Sequence, residues 1–188
     1  MRDLPGHPGM MIFLAVAIGL MVYVAIHDVM ARTIPNRATL ALLLCGIVIR
    51  VLAGGLLPGS EIALATFGIL LVGWTFGFIG GGDAKFWPVA SLSCPPALNP
   101  QVNFLIGVAL IGGALSLLYL MLYHASHHGL LWPPPRLPPR PRDETLFRRV
   151  RRAELHRIAR RPRVPYAVAI SGAAIATILL APKLMGGV

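Results

Sequence analysis

Two acids stand out in an otherwise apolar chain. Asp28 lies in "YVAIHDVMARTIPN" and Asp83 in "FGFIGGGDAKFWP", each at the end of a long hydrophobic run and 55 residues apart. An ionisable group at a membrane boundary is costly to desolvate, which makes it a functional candidate. Two carboxyls brought close in a low-dielectric site cannot both ionise easily. One pKa rises, a proton is shared, and the pair can activate water against a carbonyl. The glycines ahead of Asp83 would let an extended peptide approach the backbone and would free the turn from helical geometry. Each acid taken alone equally suits an interfacial helix end. Their matching placement tips the reading towards chemistry.

The elements that must position these acids are membrane helices. Of the 188 residues, 56% are hydrophobic and only 13% charged, too little charge for the surface of a soluble domain this size. Six apolar runs read as spans: Met10–Ile26, Ala38–Leu57, Ile62–Ile79, Phe86–Ala97, Val102–Tyr123 and Val164–Ala181. All but the fourth are long enough, at about 25–33 Å, to match the hydrocarbon core. The fold class expected is all-α, a polytopic membrane protein with about six transmembrane helices and its N-terminus outside. The leader "MRDLPGHPG" has no net positive charge and the first apolar run exceeds a usual signal-peptide core, so that helix is expected to be retained.

Eleven of the 17 Lys and Arg lie between Arg136 and Arg163, which places that loop in the cytoplasm. Counting back puts Asp28–Arg37 and Gly80–Lys85 on the same side. The count requires the short, proline-containing Phe86–Ala97 run to cross, shielded by its neighbours.

The stretches "DVMARTIPN" and "GGGDAK" resemble the two signatures of the type IV prepilin peptidase family: an Asp followed six residues on by Ile-Pro-Asn, and a Gly-x-Gly-Asp with a nearby Lys. The first match includes Asp28, Arg32, Ile34, Pro35 and Asn36, and the second Gly80, Gly82, Asp83 and Lys85. "VPYAVAI" in the last span matches more loosely. The resemblance implies a membrane aspartic endopeptidase that trims the short basic leader of prepilins and pseudopilins, with Asp28 and Asp83 catalytic. It further implies a multi-pass protein of the bacterial cytoplasmic (inner) membrane. The larger, bifunctional members carry paired CxxC motifs and also methylate the new N-terminus. Cys45 and Cys94 form no such motif. The chain is therefore similar to the short, peptidase-only type associated with Flp/Tad pili, and no methyltransferase activity, cofactor or metal is expected.

Several residues carry open readings. Lys85 could pair with the carboxyls, meet an acidic residue of the substrate, or snorkel to the interface. Pro35 is expected to cap the turn into the second helix, with Asn36 available to its N-terminus. His27 reads as an interfacial histidine at a helix end. His124, His127 and His128 have metal-like spacing but lack a carboxylate partner or an HExxH helix. Arg50, inside the second span, is expected to snorkel outward or meet Glu61. Both cysteines read as small apolar fillers.

Residues 132–163 form a Pro/Arg-rich insert within what is otherwise a single membrane peptidase domain over 1–188. "WPPPRLPPRPR" should be stiff and extended. "DETLFRRVRRAELHRIARR" reads as a basic amphipathic helix lying on the anionic inner leaflet. Pilus assembly machinery is the partner considered for the insert. Nucleic acid is not an expected partner, because topology already explains the charge. The competing reading of the whole chain is a non-catalytic membrane scaffold or small transporter subunit whose interfacial acids bind a cation or partner. A transporter should instead place ionisable groups mid-span and show repeat halves.

Overall fold

A computed structural model describes residues 8–127 and 164–185. The described residues form six helices and no strand: α1 (Pro8–Ala31), α2 (Asn36–Leu52), α3 (Leu56–Thr75), α4 (Gly81–Ser93), α5 (Leu98–His127) and α6 (Tyr166–Met185). Within α1, α3 and α5, the stretches Gly9–Ala31, Leu56–Thr75 and Leu98–Ala125 are long and apolar enough to cross a membrane, and Tyr166–Ala181 is a shorter apolar helix. The chain is an all-helical polytopic membrane protein. The Pro/Arg-rich insert, His128 and the side chain of His127 lie outside the described residues.

The helices fall into two compact units, one of residues 1–111 with 165–188 and one of residues 112–164. In the first, α4 packs against α1, α2, α3 and α6, and α1 packs against α2 and α6. α4 is the most enclosed element. Ala84, Phe86, Pro88, Ala90, Ser91, Leu92 and Ser93 are all buried. Phe86, Phe104, Met21, Leu42, Ile49 and Ile170 supply the largest side chains of the core. Small residues let the backbones approach, as membrane packing requires. A Cβ on Gly46 would stand 3.2 Å from Leu92 Cδ2, and one on Gly107 would stand 3.0 Å from Ala173 Cβ. The Ser171 hydroxyl donates to the Met21 carbonyl at 2.9 Å, tying α6 to α1. α3 is the opposite case. It buries only Gly59 and Leu70, so Leu64, Ile69 and Val72 face outward, as side chains solvated by lipid would. The second unit contributes one described stretch, the later part of α5, where Ser116 bonds back to the Gly112 carbonyl at 2.7 Å.

Three of the departures from the expected element boundaries bear on how the site is built. α2 stops at Leu52 rather than Leu57 because Gly54 takes a left-handed turn, φ 68°, which only glycine adopts without cost. α3 therefore starts early, at Leu56, with Pro58 tolerated in its first turn. α4 begins at Gly81, five residues before the apolar run that marks it, so Asp83 and Lys85 lie on a helix and not in an interhelical turn. Arg50 also departs from expectation. It is 3% exposed, and its guanidinium donates to the Leu92 and Ser93 carbonyls. It neither snorkels outward nor forms an ion pair with Glu61 among the described residues.

Candidate active site

Asp28 occupies the last turn of α1 and is 7% exposed. The chain leaves α1 through Arg32, whose amide donates to the Asp28 carbonyl at 2.8 Å. Arg32 has φ 58° and is the one non-glycine residue with positive φ among those described. A left-handed residue just past a helix end is usually glycine, and an arginine there costs about 1–2 kcal/mol. The turn is held from the other side by His27, whose Nδ1 bonds the Thr33 carbonyl at 2.8 Å. This reversal buries Ile34 and delivers Pro35 as the N-cap of α2.

Asp28 does not stand alone at the end of α1. The backbone N–H of Ala167 donates to Asp28 Oδ2 at 3.2 Å. Ala167 lies in the first turn of α6, where N–H groups lack intrahelical partners and the helix dipole favours negative charge. Arg32 and His27 are also near enough to act on its charge. The Asp28 carboxyl is thus oriented by one backbone donor of α6 in a buried setting.

Asp83 is placed by the glycines. Gly80 is the N-cap of α4 with extended backbone, φ −67° and ψ 138°, and Asp83 sits in the first turn. An acid there is favoured by the helix dipole. The carboxyl curls back over the cap. A Cβ on Gly80 would lie 2.9 Å from Asp83 Oδ2, closer than non-bonded atoms normally come, so Gly80 leaves the space the carboxylate fills. Gly82 does a different job. A Cβ there would meet Ile34 at 3.4–3.6 Å, an ordinary contact distance, so the start of α4 lies directly against the turn that follows Asp28.

The charge of Asp28 reaches Asp83. Asp83 precedes the apolar part of α4 and is half-buried. Burial, and secondly the charge of Asp28, push its carboxyl up to about 6. This is the pattern expected of carboxyls that share a site. A second link joins the two sequence motifs: the Lys85 ammonium donates to the Asn36 side-chain oxygen. Asn36 does not cap α2, since Pro35 is the N-cap and no side-chain cap bond is made. Lys85 is thereby engaged with Asn36.

The Lys85–Asn36 pair stands at one end of a cavity of about 410 Å³ lined otherwise by Thr39, Leu40, Leu43, Ala63, Leu64, Phe67, Pro88 and Val89. One end is polar and lies within two residues of Asp83, while the walls on α2, α3 and α4 are almost wholly apolar. Sequence reasoning missed this cavity, the left-handed Arg32 and the Ala167 donor. Pro165 marks the start of α6 in the sequence, but nothing there points to Asp28.

A family model described as the type IV leader peptidase family matches residues 15–122. No curated protein and no solved structure matches the chain. The matched span contains both acids, both glycine positions and the Lys85–Asn36 pair, and covers more than half of the sequence. The chain belongs to the type IV leader peptidase family.

Proposed function

We propose that the protein is a membrane aspartic endopeptidase that removes the leader peptide of type IV prepilins, of the Flp/Tad-like kind, at the cytoplasmic face of the inner membrane. The observation that carries the reading is the convergence of Asp28 and Asp83 from separate motifs. Asp28 is oriented by the Ala167 N–H, and burial together with the Asp28 charge raises the Asp83 carboxyl to about 6, so the pair can hold a proton for acid–base work. Asp28 takes a proton from water as the oxygen attacks the scissile carbonyl carbon, and protonated Asp83 gives its proton to the carbonyl oxygen. Collapse of the tetrahedral intermediate breaks the C–N bond as Asp28 gives its proton to the leaving amine and Asp83 takes back a proton from the intermediate's hydroxyl.

The substrate must present an extended segment to these acids, and Gly80 and Gly82 keep the start of α4 low enough for it. A prepilin also carries an apolar segment, and the cavity beginning at Lys85 and Asn36 has walls suited to one. The eleven basic residues of the insert support the cytoplasmic placement of this face and contact of the insert with anionic lipid. The absence of CxxC motifs in the sequence supports peptidase activity without methyl transfer.

Co-expression with candidate Flp/Tad prepilins tests the reading. A shorter product with a new N-terminus at the leader junction is expected. An uncut prepilin in every pairing would favour a membrane scaffold whose acids bind a partner.

A further inference from the structure

α4 raises a physical problem that the catalytic reading leaves unsolved. Its 13 residues extend only about 20 Å, against a hydrocarbon core of about 30 Å. A full-length span finds its depth by matching both interfaces, whereas α4 cannot. Its last four carbonyls would also end in an apolar interior, where an unsatisfied backbone group is strongly disfavoured.

The structure answers both difficulties with two side chains from neighbouring helices. Arg50 of α2 donates through Nε to the Leu92 carbonyl at 2.8 Å and through a terminal nitrogen to the Ser93 carbonyl at 3.3 Å. Gln101 of α5 shares its amide hydrogens among the carbonyls of Ser91 (3.2 Å), Cys94 (3.4 Å) and Pro95 (3.0 Å). The thiol of Cys94 faces the Ala90 carbonyl at 3.7 Å. Every terminal carbonyl of α4 therefore has a partner. The negative end of the helix dipole meets a buried cation, and that interaction offsets the cost of burying Arg50 without a carboxylate.

α3 is shaped around this arrangement. A Cβ on Gly59 would lie 2.6 Å from Arg50 Cδ, and one on Gly55 would lie 3.9 Å from a guanidinium nitrogen. Gly59 thus clears a channel through which the arginine stem reaches α4.

We propose that Arg50, seconded by Gln101, is a positioning residue that grips α4 at its far end and so sets the depth at which Asp83 meets Asp28. Arg50 touches neither substrate nor the acids. It acts through the helix. The catalytic consequence rests on the peptidase reading, whereas the structural one does not.

The test has an activity-independent arm. A Cβ on Gly82 would stand 3.6 Å from Ile34 Cβ, inside the range of about 3.5–4.5 Å that a disulfide needs. The pair Ile34→Cys and Gly82→Cys, with Cys45→Ala and buried Cys94 retained, therefore reports the register of α4 against the turn after Asp28. With Arg50 present the pair should close rapidly on mild oxidation. Adding Arg50→Gln should slow closure at least threefold, and Arg50→Lys should restore part of it. In the chain without added cysteines, Arg50→Gln should lower kcat per folded molecule about tenfold with KM changed less than twofold. Equal closure rates with and without the Arg50→Gln change, or a loss confined to the amount of folded protein, would overturn the proposal. If Arg50→Gln fails to accumulate, Gln101→Leu replaces it, with a smaller slowing expected and an unchanged rate counting against the proposal. If the unsubstituted chain cleaves no prepilin, the peptidase reading fails, and the disulfide rate still decides whether Arg50 sets the position of α4.

Discussion

Replacing Asp83 with asparagine should stabilise the protein, and only above a certain pH. The carboxyl stands at about 6 in the fold against an ordinary value of 3.8. Below pH about 4 the group is protonated in folded and unfolded chains alike and makes no difference between them. Between about 4 and 6 the unfolded chain loses the proton while the folded one keeps it, so wild-type stability falls as pH rises. Above 6 the loss is complete. Each pH unit of displacement corresponds to about 1.4 kcal/mol, and partial exposure of Asp83 reduces the total to about 2 kcal/mol. The asparagine side chain never ionises and escapes the loss. For a chain of this size that corresponds to a Tm about 4–8 °C above wild type at pH 7.5, shrinking towards zero at pH 4. Thermal unfolding of detergent-solubilised wild type and Asp83→Asn across that range measures it. An equal difference at both pH values, or a less stable variant at pH 7.5, would refute the claim that burial and Asp28 jointly disfavour the Asp83 charge.

Gly80→Ala puts a methyl group where Asp83 Oδ2 now sits, 2.9 Å from the new Cβ. It should cut kcat about tenfold while leaving membrane abundance unchanged, as read by cleavage assays normalised to immunoblot. Lys85→Met and Asn36→Ala each break the same link between the motifs, so a double-mutant cycle on kcat/KM should show the two effects to be strongly non-additive. Gly59→Ala forces a Cβ to within 2.6 Å of Arg50 Cδ. It should destabilise the fold by about 1–3 kcal/mol, the usual cost of overpacking, detectable as a lower Tm.

The parts of this protein legible in the sequence are those that rest on composition and local spacing. Runs of apolar residues marked every described helix, because a hydrocarbon solvent demands them irrespective of partners. Asp28 and Asp83 were visible because a charge beside such runs is anomalous. The helix ends were less legible. Gly54 and Gly55 read as part of an apolar run, yet the backbone turns there. "GGGDAK" read as a break, yet Gly81 starts a helix because Gly80 can serve as its cap and Asp83 suits its first turn. The long-range contacts left no local sign. Nothing near Ala167 in the chain announces an acid 139 residues away. Arg50 looked like a snorkelling cation because its real partners, two carbonyls of α4, carry no sequence signature at all.

The central claim is that two carboxyls act together, and the most direct measurement is prepilin cleavage by Asp28→Asn and Asp83→Asn, each present in the membrane at the wild-type level. A shared-proton mechanism expects both variants to leave the co-expressed prepilin full-length, with product below about one part in a thousand of the wild-type yield. Cleavage at the wild-type rate by either variant would contradict it.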